Sequence, residues 1–352
     1  GNGIDNIDVD ACTEKGIIAV NTPEANIMAA AELAVGLAFC AFRNICQADT
    51  LSRVDDFRRG RLIGNELEGK TAGIIGLGRI GSIVARKLQG VGMRVVAYDP
   101  YITEERFDQV GAERCETLDE LLTQSDLISF HTPKTKETYN MVDASKLALC
   151  RHGVRIVNAA RGGLVNEADL AEALRTGRVA AAGIDVFDHE PSYDRKPGDQ
   201  NYQNPLLGLP NCVVTPHLGA STHEANWNVG TAVTELVARA LKGDLVAAIN
   251  MPSVSGPISE LKPFLDLAEK LGSIYFQAER SRVHRIEIVF RGDLASQETD
   301  LVTLSMLKGF LSPIKQERIS YVNVMRMVRD MGIEISETRS RQLEKYTNLL
   351  TV

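Results

Sequence analysis

The sequence predicts an α/β protein built on a doubly wound parallel sheet, and three observations carry that expectation. A β-type run at 71–75 enters Gly76-Leu77-Gly78-Arg79-Ile80-Gly81, and a helix-type run leaves it. An acidic residue, Asp99, closes the next β-type run, 18 residues after Gly81. Beyond it, β-type and helix-type runs alternate, the mark of parallel strands joined by crossover helices. In the glycine run, Gly76 permits a tight turn, Gly78 leaves room for a phosphate to approach the backbone, and Gly81 lets the helix pack closely on its strand. Backbone N–H groups at that helix start face an anion. Asp99 stands where a carboxylate accepts hydrogen bonds from an adenosine ribose, so the whole pattern points to NAD.

The elements follow in order. Residues 1–6 read as a loop leaving a strand that lies outside the sequence, so a truncated start is expected. Asp8 caps a helix that runs to Lys15 and ends at Gly16, and 17–20 reads as a short buried strand broken by Asn21-Thr22-Pro23. From 25 to about 53 the pattern is one long helix, with Met28, Ala31, Val35, Phe39 and Phe42 recurring at three or four residues. A stripe of that kind packs on its own core or on a second subunit. Strands are then expected at 71–75, 94–98, 127–131, 154–158, 180–186 and 212–215, and helices at 80–88, 118–124, 143–149, 167–176 and 224–242. Six strands in this order give the Rossmann arrangement, whose ligand lies at the carboxyl ends of the strands.

Past Asn250-Met251-Pro252 the character changes. A helix from 258, a strand at 286–290, helices at 301–311 and 322–331, and a strand at 333–335 make a small α+β module with no glycine loop or nucleophile motif. Residues 349–352 begin one more strand that nothing closes, so a truncated end is expected as well. The stretch 193–204, rich in Asp, Lys, Arg, Gly and Gln, reads as a flexible insert.

Composition narrows the function. With 44% hydrophobic and 24% charged residues, the 352-residue chain belongs with soluble multidomain proteins. Its net charge of −7 and lack of any Lys/Arg-rich run argue against nucleic acid. No apolar run reaches the roughly 20 residues of a membrane span, although 28–42 comes closest. Cys12, Cys40, Cys46, Cys115, Cys150 and Cys212 are scattered without a Cys-x-x-Cys pair, so they read as reduced cytoplasmic thiols, with neither disulfide framework nor metal site.

Chemistry is expected just after the strands. Arg161 follows the strand at 154–158, Glu190 the one at 180–186, and His217 the one at 212–215. A hydride-transfer enzyme acting on a hydroxy acid needs a fixed cation for carboxylate or carbonyl oxygen, which Arg grips bidentately. It also needs a group that exchanges the hydroxyl proton near neutrality, which His does. A carboxylate beside that His stabilises its protonated form and fixes its tautomer. His131 also follows a strand, on the adenosine side, and His189 competes with His217 as acid/base. Arg58, Arg59 and Arg61 read as solvated charge, with a phosphate across a dimer as the alternative.

These residues resemble a known family. Asn2-Gly3-Ile4-Asp5-Asn6-Ile7-Asp8, the glycine run, His131-Thr132-Pro133, Val157-Asn158-Ala159-Ala160-Arg161-Gly162-Gly163, Asp185-Val186-Phe187 with Glu190-Pro191, and Pro216-His217-Leu218-Gly219-Ala220-Ser221-Thr222 are together similar to the D-isomer-specific 2-hydroxyacid dehydrogenases over residues 1 to about 252. The resemblance implies Arg161 as substrate anchor, Glu190 and His217 as the acid/base pair, and NAD contacts at Asn2, Gly76, Gly78, Arg79, Ile80, Gly81, Asp99, Thr132, Ala159, Arg161, Asp185, His217, Gly219 and Ala220. Asp185 would bind the nicotinamide carboxamide, and Asn2 would lie near the nicotinamide. It also implies a division into a remnant of a substrate domain (1–24), an NAD-binding domain (25–222), a helix returning to the substrate domain (223–250) and part of an assembly or regulatory module (251–352).

The activity implied is oxidation of a phosphorylated 2-hydroxy acid, 3-phosphoglycerate, at the first step of serine synthesis, by a cytoplasmic homo-oligomer, a dimer or tetramer. A sister enzyme acting on glyoxylate, hydroxypyruvate or D-lactate is the near alternative. A corepressor-like dinucleotide sensor that works through partners is the distant one. Two segments of the family pattern are absent from the sequence: the amino-terminal part, which carries the phosphate-reading side chains, and the regulatory domain.

Overall fold

The structure is a computed structural model that describes residues 3–4, 6–192, 196, 202–242, 244–252, 258–278, 283–297, 299–313, 319–342 and 347–352. It divides into two compact units, one made of 24–229 and the other of 1–23 with 230–352. In chain order the elements are α1 (Val9–Glu14), α2 (Ile27–Arg43), α3 (Ile45–Ser52), β1 (Thr71–Ile75), α4 (Arg79–Gly90), β2 (Arg94–Tyr98), α5 (Glu104–Val110), β3 (Glu113–Arg114), α6 (Leu118–Gln124), β4 (Leu127–Phe130), α7 (Ala144–Leu149), β5 (Val154–Asn158), α8 (Glu167–Arg175), β6 (Val179–Ile184) and β7 (Cys212–Val214). They continue with α9 (His223–Leu241), α10 (Ile258–Ala278), β8 (Arg285–Gly292), α11 (Asp300–Leu311), α12 (Val324–Asp330), β9 (Glu334–Ser340) and β10 (Asn348–Thr351).

Unit 24–229 is a seven-stranded sheet in the order β3-β2-β1-β4-β5-β6-β7, with every pairing parallel. The strand order reverses between β1 and β4, which makes a crevice at their carboxyl ends. Register decides what lines it. Tyr98, Ile75, Phe130, Asn158, Ile184 and Val214 pair in one row across the sheet. The residues that follow them, Asp99, Gly76, His131, Ala159, Asp185 and Thr215, therefore share one edge.

Both faces of the sheet are covered, and the central strands accordingly carry continuous apolar runs. On one face α2 and α4 pack Ala34, Leu37, Phe42, Val84 and Leu88 onto Ala72, Ile74 and Val157. On the other, Leu121, Leu147, Leu170 and Leu174 cover Ile128, Ile156 and Ala182. Local chemistry starts the helices: the side chains of Thr117, Asp143 and Asn166 accept the first-turn N–H groups of α6, α7 and α8.

Two expectations are corrected and one is narrowed. The long helix at 25–53 is two helices, broken at Asn44, whose φ of +53° is left-handed. Of the apolar stripe of α2, Ala31 and Phe42 are buried on its own sheet and Val35 and Phe39 pack against that core, the first of the two expected packings, while Met28 is exposed. The stretch 17–20 joins no sheet. Its backbone bonds run to 249–250, with Asn250 accepting from Ala19 N at 3.0 Å and donating to Ile17 O at 2.9 Å and Ile249 N donating to Ala19 O at 2.7 Å. Helix α5 and the two-residue edge strand β3 carry too short a pattern to read from periodicity.

The second unit centres on a three-stranded sheet, β10-β8-β9, with β8 antiparallel to β10 and parallel to β9. Its core gathers Ile286, Ile288 and Phe290 with Leu304, Leu307, Phe310 and Val328. Helices α10 and α11 touch through glycine: a Cβ on Gly272 would lie 2.0 Å from Met306 O, and one on Gly309 1.9 Å from Glu269 O.

Candidate functional site

The site grows from the carboxyl edge of the seven-stranded sheet. Gly76, at φ +91°, turns the chain out of β1 while its N–H still donates to Tyr98 O at 2.9 Å. A Cβ there would meet His131 O at 2.7 Å. Gly78 is the N-cap of α4 and offers no side chain to its first turn, so the N–H groups of Arg79, Ile80 and Gly81 are presented outward. A Cβ on Gly78 would find nothing within 4 Å, whereas one on Gly81 would sit 2.0 Å from Gly76 O. The two glycines thus serve different ends, one leaving open space beside a helix N-terminus and the other allowing helix-to-turn contact. Ser82 closes the turn by donating to Gly78 O at 2.7 Å and Leu77 O at 2.9 Å.

Asp99 holds this cradle from β2. Its Oδ2 accepts from Leu77 N at 2.9 Å and its Oδ1 from Tyr101 N at 3.0 Å, which leaves lone pairs for ribose hydroxyls. His131 lies beneath the turn with its ring nitrogen 2.8 Å from Ser129 Oγ, and burial pushes its pKa down to about 3, so it is neutral. Arg79 reaches back to Glu24 at 2.8 Å, and Ile80 is partly buried on the core. Thr132 stands half-exposed after His131, and Ala159 packs on the core at the end of β5. A helix start without a capping side chain, open space at Gly78 and an acidic residue with spare lone pairs fit an adenine dinucleotide. Asn2 lies outside the described residues.

The catalytic candidates follow β5, β6 and β7. Buried Asn158 shapes the first loop: its Nδ2 donates to Arg161 O at 2.8 Å and its Oδ1 accepts from Ala160 N at 3.1 Å. Arg161 Nη1 donates to Ala160 O at 2.7 Å, and its charge lies near enough to His217 to oppose protonation there. His217 Nδ1 lies 2.9 Å from Glu190 Oε2. That hydrogen bond raises the His217 pKa above its ordinary value, against burial and Arg161. His217 itself adopts φ +56°, a strained conformation for a residue with a Cβ, and its N–H donates to Asp185 O at 2.8 Å.

Asp185 fixes that turn. Fully buried, it accepts from Thr215 Oγ1 at 2.6 Å and Leu218 N at 2.7 Å through Oδ1, and from Gly219 N at 3.0 Å through Oδ2. Burial raises its pKa, and these donors oppose the rise. The His217–Ala220 segment is thereby tied to the end of β6. Beside it a cavity of about 360 Å³ is lined by Phe187, Tyr202, Leu207, Pro216, Glu190 and His217. The competing histidine, His189, points into solvent, 93% exposed. Arg58 and Arg61 are paired with Asp56, at 2.6 and 3.2 Å.

Sequence reasoning missed the clamp on the loop that carries Glu190. Asp188 accepts from Lys134 Nζ at 2.6 Å and Tyr139 OH at 2.9 Å, while its own N–H donates to Glu167 Oε1 at 2.6 Å. Gly162 lies so close under this loop that a Cβ would sit 1.9 Å from Phe187 O. The partners stand 54, 49 and 21 residues from Asp188, beyond any local pattern.

Comparison with known proteins agrees with this geometry. Residues 35–219 match the model of the D-isomer specific 2-hydroxyacid dehydrogenase NAD binding domain, and residues 260–352 that of the D-3-phosphoglycerate dehydrogenase intervening domain. The chain is 42% identical over 354 residues to D-3-phosphoglycerate dehydrogenase of Methanocaldococcus jannaschii, covering 100% of this chain and 66% of that protein. It is 38% identical to the enzyme of that name from Bacillus subtilis, with 100% and 66% covered. The chain therefore spans just under two thirds of the length of these relatives. Among solved structures, a glyoxylate reductase from Paecilomyes thermophila matches with a TM-score of 0.62 and 35% identity, over 71% of this chain and 73% of that one. A Lactobacillus jensenii D-lactate dehydrogenase solved with NAD+ matches with a TM-score of 0.62 and 32% identity, over 70% and 75%. The chain belongs to the D-isomer specific 2-hydroxyacid dehydrogenases, and its seven-stranded unit is their NAD-binding domain.

Proposed function

We propose that this protein oxidises 3-phosphoglycerate to 3-phosphohydroxypyruvate with NAD, with Arg161, Glu190 and His217 as its catalytic residues. The observation that carries the reading is the 2.9 Å pair of His217 and Glu190 beside Arg161 at the cofactor edge of the sheet. Glu190 holds the proton on His217 Nδ1, which makes Nε2 the nitrogen that accepts the substrate hydroxyl proton. The imidazolium so formed is stabilised by the Glu190 carboxylate. Arg161 grips the substrate carboxylate and sets the reacting carbon against the cofactor. NAD, when bound, would supply the hydride acceptor for that carbon. The residues that would hold the cofactor are Gly76, Gly78, Arg79, Ile80, Gly81, Asp99, Thr132, Ala159, Arg161, Asp185, His217, Gly219 and Ala220; Asn2, the remaining candidate, lies outside the described residues.

The substrate assignment rests on the relatives named above and on the match at 260–352. A sister activity on glyoxylate or D-lactate is favoured by the solved structures alone, which match about 70% of the chain. We further propose the four-part division at 24/25, 222/223 and 250/251, a cytoplasmic location and a homo-oligomer. Exposed Val54, Phe57 and Ile63 support a subunit contact. Six free cysteines support a reducing compartment.

The experiment is NADH production by the protein with NAD and, in turn, 3-phosphoglycerate, D-lactate, glycolate and glycerate. A higher kcat/KM for 3-phosphoglycerate than for any of the others is expected from the relatives named above. Equal or greater efficiency on an unphosphorylated acid would overturn the substrate assignment.

A further inference from the structure

Cys40 and Cys46 are six residues apart. On an unbroken helix that spacing separates two residues by about 9 Å along the axis and about 240° around it, so their side chains could not touch. Their sulfurs nevertheless lie 3.7 Å apart. The cause is the bend at Asn44, where α2 and α3 diverge by 65°. The bend is held from outside. Asn44 Nδ2 donates to Leu62 O at 3.4 Å and Ile63 O at 3.3 Å, and Gly64 lies so close that a Cβ would sit 2.5 Å from Phe42 O. Cys46 is exposed and Cys40 half-buried, and both line a cleft of about 440 Å³ next to Asn211 and Cys212. Cys115 and Cys150, by contrast, are buried in the core.

We propose that Cys40 and Cys46 form an oxidisable dithiol site, whose co-reactant is a hydroperoxide or a small-molecule disulfide. With hydrogen peroxide, the Cys46 thiolate attacks one oxygen and the O–O bond breaks. Hydroxide leaves, and Cys46 becomes a sulfenic acid. The Cys40 sulfur then attacks the Cys46 sulfur and expels the sulfenic oxygen as hydroxide. Protons from the two thiols convert both hydroxides to water, so two thiols and one peroxide give one disulfide and two waters. Exposure assigns the first step to Cys46, and burial agrees by pushing the Cys40 thiol up to about 11. The fixed bend favours the second step, because the resolving sulfur is already in contact. This assignment is independent of the reaction proposed above.

Trypsin makes the test direct, because Lys15, Arg43 and Arg53 bound two peptides, 16–43 and 44–53, whose single cysteines are Cys40 and Cys46. The protein is treated with stoichiometric hydrogen peroxide, alkylated and digested. The expected result is a linked 16–43/44–53 pair, with two of the six thiols lost to titration in denaturant and both regained with dithiothreitol. Cys40→Ser should leave Cys46 trapped as a sulfenic acid that dimedone captures, and Cys46→Ser should abolish both linkage and capture. Oxidation of Cys46 to sulfinic acid without linkage would overturn the proposal. So would a 44–53 peptide joined to a second copy of itself, or no thiol loss at all.

Discussion

Gly78 and Gly81 stand three residues apart in one glycine run, yet substituting each by alanine should fail in different ways. At Gly81 the new Cβ would lie 2.0 Å from Gly76 O, a backbone atom that no rotamer change can move. Relieving that overlap means lifting α4 off the turn, which by the usual cost of overpacking is about 3 kcal/mol of stability. At Gly78 the backbone, with φ −66° and ψ −157°, suits any L-residue, and the Cβ has no neighbour within 4 Å. The only stability cost is the poorer helix cap, about 1 kcal/mol. The open space is where the cofactor pyrophosphate would approach the N–H groups of Arg79 and Ile80, so the methyl group should break one charge-assisted hydrogen bond worth about 1.5–3 kcal/mol. Affinity for NADH should fall about 10- to 100-fold. Urea denaturation and an NADH fluorescence titration on both variants separate the effects: Gly81→Ala loses stability first, and Gly78→Ala loses affinity while remaining folded. Unchanged NADH affinity in Gly78→Ala would refute the cradle, and parental stability in Gly81→Ala would refute the packing argument.

Other expectations follow from the same geometry. Glu190→Gln removes the group that raises the His217 pKa, so the rising limb of the pH profile for alcohol oxidation should move to lower pH, with a fall in kcat of about tenfold for one partly exposed charged hydrogen bond. An unmoved limb would show that Glu190 only packs. Since the folded-state pKa of His217 is raised, its pairing stabilises the protein fully below the unfolded pKa of 6.5 and loses that contribution as pH rises through the folded value; Glu190→Gln should flatten this part of the stability curve. Asp188→Ala frees the loop from Lys134 and Tyr139, and should lower kcat while leaving the NADH dissociation constant unchanged. Equal loss of NADH binding would place Asp188 at the cofactor instead. NAD should bind more tightly than NADP, because Asp99 repels a 2′-phosphate and its neighbours Pro100 and Tyr101 offer no cation. Equal dissociation constants by calorimetry would contradict that.

Much of the seven-stranded unit was legible because its signals are local. A glycine turn between a strand and a helix, Asp99 at the next strand end, and apolar runs of four or five residues each need only a short window. The three catalytic candidates were legible for the same reason, since a parallel sheet places the residue after every strand on one edge. What was missed depends on distance or on a single residue. The break at Asn44 leaves the apolar spacing of α2 intact, so periodicity reads straight through it. The stretch at 17–20 has strand-like residues, but its hydrogen bonds go to Ile249 and Asn250, more than 200 positions away. Asp188 sits in a motif that drew attention to Glu190, and its partners Lys134, Tyr139 and Glu167 come from other loops. Asp185 was read as a ligand for the cofactor, while the geometry gives it a further duty, bonding to Thr215, Leu218 and Gly219 to hold the turn that carries His217.

In the proposed mechanism His217 exchanges the substrate proton while the glycine cradle holds NAD independently of it. His217→Asn tests both halves in one preparation, with NADH binding followed by fluorescence and oxidation of 3-phosphoglycerate followed by NADH formation. The expected result is an NADH dissociation constant within about twofold of the parent and a kcat lowered by about 10²- to 10⁴-fold, the usual loss when a general acid/base is removed. A variant that keeps its turnover would contradict the assignment of His217, whatever its affinity for NADH.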